Sequence, residues 1–203
     1  LYVYYVDHSA GTEAGRGPGI KVVRAPIRPN NTVDPHDFKT YFDPGTDGAF
    51  SEPAIPPGMT PANMKNYLAT KAGRSSDVSG SGGSVFIRFS VAHLTGTSKF
   101  LSVALENGNV NLRLSSDLVH WGPPTAVPGV SQSGAWWRTT PLLYPAFLSA
   151  DGQSSTEIDP TNFVILGIDA ATQKVNALPL AIGDSAAPDA PPTAAVSNVD
   201  NAD

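Results

Sequence analysis

The stretch "KFLSVALENGNVNLRLSSDLVHW", Lys99 to Trp121, constrains the fold more than any other part of the chain. Two apolar-rich runs flank Glu106-Asn107-Gly108, and Asn-Gly is the strongest short hairpin signal because both residues tolerate positive φ. A hairpin is therefore expected, with one strand over residues 99–105 and an alternating strand over 109–114. Ser115, Ser116 and Asp117 stand where the second strand ends. Short polar side chains of this kind hydrogen-bond neighbouring backbone amides and fix a turn. Trp121 then supplies a large apolar plate for packing against an adjacent sheet.

The same rhythm of strand and turn runs along the rest of the chain. "LYVYYV" (1–6) is β-branched and aromatic, which suits a strand buried on both faces. "GIKVVRAPI" (19–27) is a second strand, stopped by Pro26. Between them Gly15, Gly17 and Gly19 superficially match a dinucleotide loop. No helical pattern follows and Pro18 interrupts the spacing, so a glycine-rich turn is expected. Further strands are expected over 84–94, 139–148, 162–168 and 174–182. Residues 29–83 are loop-rich, punctuated by "NNT", "DPHD", "DPGTDG" and "IPPGMTP". One short helix is expected there, from a Thr60 cap through Pro61 to Gly73, followed by the flexible connection "SSDVSGSGGS". Residues 183–203 form an acidic Ala/Pro-rich tail without apolar pattern, expected to lie outside the core.

Composition agrees with short strands and sharp turns: 15% of residues are charged, and Gly and Pro number 19 each. A chain of 203 residues accommodates one domain, placed at 1–182, plus the tail. The formal charge of −5, with no Lys/Arg cluster, argues against nucleic acid as a partner, since phosphate binding works by counterion displacement. No apolar run approaches the ~18 residues of a membrane span. The absence of cysteine removes disulfides and thiolate metal sites and leaves the redox compartment unread. The chain opens inside a strand without a signal-peptide pattern, so it is expected to be processed, trimmed or incomplete at its front.

Aligned with one another, the strands repeat. "YVYYV" with "GIKVVRAPI", "KFLSVAL" with "NVNLRLSSD" and "NFVILGI" with "KVNALPL" each join an apolar strand to a more alternating one. The last two pairs follow a further strand, "FIRFSVAHL" and "LLYPAFL". Stacked β-sheet blades produce such a period. "SSDLVHW" resembles the Ser-x-Asp-Leu-x-x-Trp turn of five-bladed β-propeller glycosidases of the arabinanase, β-xylosidase and levanase type. "YYVDHSAGTEAGRGPGIKVVRAPI" is similar to the second and third strands of a blade in those proteins, and "LLYPAFL" to an innermost strand. The expected fold class is all-β: a β-propeller or partial propeller of four-stranded antiparallel blades, with a β-sandwich as the alternative. The strands amount to part of one blade, one full blade and three strands of another. A closed ring needs at least four blades, so closure would take further residues or self-association with another chain.

The resemblance implies an extracellular glycoside hydrolase acting on poly- or oligosaccharide. In an inverting mechanism one carboxylic acid protonates the leaving oxygen and a second carboxylate activates water. Glu52, in "GAFSEPAI", is similar to the family's Glu-x-Pro general-acid segment, although Pro53 follows directly. Asp7 is the candidate base, with a solvent-exposed turn aspartate as its plain alternative. The family's base sits on the first blade's innermost strand, which this sequence lacks. Arg88, His93 and Tyr144 lie on innermost-type strands and are the candidate substrate-binding residues, against packed core residues as the alternative. Trp136 and Trp137 are adjacent and so face opposite sides of a strand, one in the core and the other a sugar-stacking platform, with a blade-packing role for both as the alternative. Glu106 is expected to be an ordinary hairpin residue, Asp117 a turn anchor, and Glu157 and Asp159 loop residues.

Two functions of other classes stand beside hydrolysis: a noncatalytic carbohydrate-binding propeller and a structural subunit of an extracellular assembly. His8, His36, His93 and His120 show no metal-ligand spacing. No cofactor is expected beyond a structural calcium on "DPGTDG", which lacks the full loop pattern. Asn30-Asn31-Thr32 matches the glycosylation acceptor sequence, meaningful in a secreted protein.

Overall fold

The computed structural model describes residues 1–7, 19–42, 49–54, 58–60, 86–106, 109–130, 140–183 and 194–196. The protein is all-β. Among the described residues there is no α-helix, only a single 3-10 turn at Pro35–Asp37 capped by Asp34. The helix expected between Thr60 and Gly73 and the Gly/Ser connection fall outside the described residues, Thr60 apart. The strands form three open sheets, and the chain divides into two compact units, Leu1–Val85 and Phe86–Asp203.

The first unit holds β1 (Tyr2–Asp7), β2 (Gly19–Arg24), β3 (Lys39–Phe42) and β4 (Ala49–Pro53), paired antiparallel in chain order. The first two strands pair as the sequence suggests, Tyr2 opposite Arg24 and Asp7 opposite Gly19. Ile20, Val22 and Tyr41 are buried, and Phe50 lies edge-on to Tyr2 at 5.8 Å. Two expectations are corrected. β1 is an edge strand, and Leu1, Val3 and Tyr5 are exposed, so it is not buried on both faces. The loop-rich region also contributes β3 and β4, short strands that complete the sheet.

The second unit holds β5 (Phe86–Leu94), β6 (Phe100–Glu106), β7 (Asn109–Ser115), β8 (Thr125–Ala126), β9 (Leu143–Ser149), β10 (Glu157–Ile158), β11 (Phe163–Ile168), β12 (Val175–Ile182) and β13 (Ala194–Val196). One sheet runs β10-β5-β6-β7-β8 and the other β13-β12-β11-β9. The hairpin is present: β6 and β7 pair from Phe100 opposite Ser115 to Glu106 opposite Asn109. β13 comes from the tail and pairs with Leu180–Ile182, so part of the tail extends the sheet.

Alternation explains how the two sheets meet. Leu101, Val103, Leu105, Val110 and Leu112 share one face of the first sheet, and with Ala92 and Leu94 they enter one core with Leu142, Phe147, Phe163, Ile165 and Leu180 of the second. Each Val, Leu, Ile or Phe side chain among them contributes roughly 1.5–3 kcal/mol on full burial. β10 interrupts the β9 to β11 connection and pairs with β5, parallel, at Glu157 opposite His93 and Ile158 opposite Leu94. The second sheet thus sends an arm to the edge of the first.

Candidate functional site

Among the described residues each sheet carries one irregularity of register. In the first unit Thr40 pairs with Glu52 and Tyr41 with Phe50, leaving Ser51 as an extra residue just before Glu52. On β5, Ile87 pairs with Leu105 and Phe89 with Ala104, leaving Arg88 extra. On β9, Leu143 pairs with Ile168 and Ala146 with Leu166, so Tyr144 and Pro145 together oppose Gly167. Bulges re-aim side chains and cluster beside functional sites. Two of the residues singled out from sequence, Arg88 and Tyr144, thus sit on bulges near the start of the first strand of their sheets.

Tyr144 is the best-defined of them. Its backbone has φ 59°, a region uncommon for residues with a side chain. The residue is 53% exposed. Pro145 adds to the tension, because proline favours extended backbone in the residue before it. Beneath the bulge, Leu142 is buried and lies so close to Gly167 that a Cβ there would stand 2.6 Å from the Leu142 Cα.

His93 ends β5 and is engaged on both ring nitrogens. Nδ1 meets Glu157 Oε2 at 2.7 Å and Nε2 meets the Thr97 carbonyl at 2.8 Å. Both partners are acceptors, so a ring that donates to both is the imidazolium. The Glu157 hydrogen bond, then that to Thr97, raises the His93 pKa above its ordinary value against a small opposing effect of burial. His93 therefore ties the β10 arm to β5, and Glu157, expected to be a loop residue, is its partner.

The corner after β7 is built as its residues suggest. The Ser115 hydroxyl oxygen accepts from the amides of Asp117 and Leu118, and Asp117 Oδ1 accepts from Val119 and His120 at 2.9 and 2.8 Å. Leu118 takes φ 67° within the turn. The Gly122 amide then donates to the Leu114 carbonyl at 2.8 Å, turning the chain back along β7. Trp121, 8% exposed, meets Phe89 edge-on at 5.4 Å. It was expected on an adjacent sheet, but this contact is within its own sheet. Register places Ser102 and Ala104 on the same face as Phe89. Glu106, expected to be an ordinary hairpin residue, is instead buried beneath this corner against Arg113 and Asn111.

Glu52 and Asp7 lie on opposite edge strands of one sheet, Glu52 paired with Thr40 and Asp7 with Gly19. Three strand steps of about 4.8 Å and four residues of offset separate their backbones by about 20 Å. Inverting glycosidases hold their carboxyl groups about 6.5–9.5 Å apart, so the sheet does not bring this pair together as acid and base. Trp136, Trp137, His8 and the "DPGTDG" run fall outside the described residues. Among the described residues no group of three His, Asp or Glu is placed to hold a metal ion, and no helix is long and apolar enough to cross a membrane. No protein-family model matches the chain, and a search of curated proteins finds no match.

Proposed function

We propose that this chain is part of an extracellular, carbohydrate-recognising protein of the β-propeller type and that it binds a neutral poly- or oligosaccharide. The observation that carries the proposal is the exposed Tyr144 ring, held at positive φ on a bulge of the first strand of its sheet. Conformational strain of this kind clusters at binding and catalytic sites, and an exposed aromatic ring offers a flat apolar surface to the C–H face of a sugar. The kinship with propeller glycosidases is supported by the Ser115–Asp117 corner and by the four-stranded antiparallel sheet β1-β2-β3-β4, paired in chain order.

Hydrolysis is the second reading, and the bulge at Ser51 immediately before Glu52 favours it. In that reading Glu52 is the general acid and the base is a residue other than Asp7. A glycan array followed by turnover assays on every bound glycan tests both readings. Binding lost in Tyr144→Ala supports recognition at this ring. Turnover abolished in Glu52→Gln with binding intact supports catalysis. A protein that binds no glycan rejects the proposal.

A further inference from the structure

The segment leading into Tyr144 is held from several sides at once. The Thr140 carbonyl accepts from the Ala170 amide at 2.9 Å, and the Thr140 hydroxyl oxygen from the Leu142 amide at 3.4 Å. The Pro141 carbonyl accepts from Asn176 Nδ2 at 3.1 Å. Leu142 is pressed against the bare backbone of Gly167, and Gly167 pairs with Asn176 on the next strand. The loop at Ala170, β11 and β12 therefore converge on the residues immediately before the bulge. A strained φ persists only where the surroundings over-determine it, and this convergence is the structural means.

We propose that Gly167 and Asn176 are positioning residues of a sugar subsite whose platform and specificity-determining group is Tyr144, and that the subsite takes a pyranose unit of a neutral oligosaccharide. The inference rests on the carbohydrate reading above and names the ligand class for it. "PLLYPAFL", Pro141 to Leu148, contains no charged residue, so the segment offers no counter-ion to an anionic or cationic ligand. A pyranose chair turns a flat set of axial C–H groups to one side and matches a planar ring in width. A furanose is puckered and covers less of it. Asn176 acts through the Pro141 carbonyl and does not touch the sugar.

The test combines melting with calorimetric titration of xylohexaose and cellohexaose, which are pyranose chains, against arabinohexaose, a furanose chain. Tyr144→Gly and Tyr144→Ala remove the same ring, but only glycine relieves the positive φ. Tyr144→Gly is expected to melt about 2–4 °C above Tyr144→Ala, and an equal or lower melting temperature overturns the strained platform. Tyr144→Phe keeps the affinity of the wild type, whereas Tyr144→Ala loses about tenfold or more. Asn176→Leu keeps much of the shape and removes the donor without placing a second carboxylate beside Asp169. It is expected to weaken binding about tenfold in the wild-type background and to leave the residual affinity of Tyr144→Ala, followed by ligand-observed NMR, unchanged. An equal loss in both backgrounds, or a lower melting temperature without loss of affinity, assigns Asn176 a merely structural role and overturns its positioning role. Wild-type binding that prefers arabinohexaose overturns the pyranose assignment. Pyranose binding that survives Tyr144→Ala overturns the subsite alone, while failure of the wild type to bind any of the three overturns the carbohydrate reading itself.

Discussion

Arg113 grips Glu106 side-on, Nε to Oε1 and Nη2 to Oε2, both at 2.9 Å, with each side chain only 4% exposed. Asn111 adds a bond to the same carboxylate at 3.2 Å, and Arg113 Nη1 reaches the Gly122 carbonyl at 2.9 Å. The pair therefore connects the end of the β6–β7 hairpin to the backbone after Trp121. Removing one partner leaves a buried charge uncompensated, so Glu106→Ala and Arg113→Ala should each lower stability by about 3–5 kcal/mol in urea unfolding. The apolar double variant Glu106→Leu/Arg113→Met should recover much of that loss. A double variant as unstable as the sum of the two singles would show that the hydrogen bonds themselves, rather than the stranded charge, carry the effect.

Asp117 gives the corner an acid limit. Burial pushes its carboxyl up, but bonds from the His120 side chain, the amides of His120 and Val119 and the Ser115 hydroxyl outweigh it and hold the pKa at about 2. A depressed folded pKa stabilises above the unfolded value, about 3.9, and this contribution is lost as pH falls through the folded value. The melting temperature of the wild type should therefore drop more steeply than that of Asp117→Ala between about pH 4 and pH 2. At neutral pH, Asp117→Ala should cost about 0.5–2 kcal/mol, as the loss of a comparable capping side chain does. Parallel pH profiles would rule out the carboxylate as the corner's lock.

The hairpin and this corner were legible because their signals are local. The Asn-Gly signal at 107–108 anticipates the pairing of β6 with β7, and Ser115 and Asp117 reach amides only two or three residues away. Alternation likewise marked the β1–β2 and β11–β12 pairs. β3, β8 and β10 are four, two and two residues long, too short for a period to emerge. Glu157 reads as a loop residue in the sequence because its partner His93 lies 64 positions away. Glu106 differs: Asn111 and Arg113 lie on its own face by strand alternation, but composition alone does not say that the face is covered. Tyr144 was found as an aromatic residue on an inner-type strand, while its positive φ depends on Gly167 and Leu142 meeting across the sheet.

The His93–Glu157 tie has the opposite pH sign. A raised folded pKa contributes stability that is fully present below the unfolded value, about 6.5, and is lost as pH rises through the folded value. The shift is upward, led by the Glu157 bond, so the window opens above that unfolded value. The melting temperature of the wild type should exceed that of His93→Gln near pH 6, and the difference should shrink by about pH 9. Hydrogen exchange offers a local check. The Thr95 amide donates to the Ile158 carbonyl at 2.9 Å and the His93 amide to the Thr156 carbonyl at 2.7 Å, so the protection of both relative to a free amide at the same pH should fall as His93 loses its proton. A pH-independent difference in melting would reject the charged form as the source of the tie.

Two glycines separate close packing from backbone freedom. A Cβ at Gly167 would stand 2.6 Å from the Leu142 Cα and 3.0 Å from its carbonyl carbon, and neither backbone atom can swing aside as a side-chain tip would. At Gly122 the nearest atom is the Leu114 carbonyl oxygen at 3.5 Å, an ordinary contact. Neither residue has positive φ, so conformational preference does not distinguish them. Gly167→Ala should cost about 1–3 kcal/mol through overpacking, a fall of roughly 2–4 °C in melting temperature per kcal/mol for a chain of this size. Gly122→Ala should be neutral or stabilise by about 0.4–1 kcal/mol, because alanine has less freedom to lose on folding. Similar melting temperatures for the two variants would mean that β9 and β11 can separate locally without cost, and the close approach that supports the bulge at Tyr144 would then have no energetic weight.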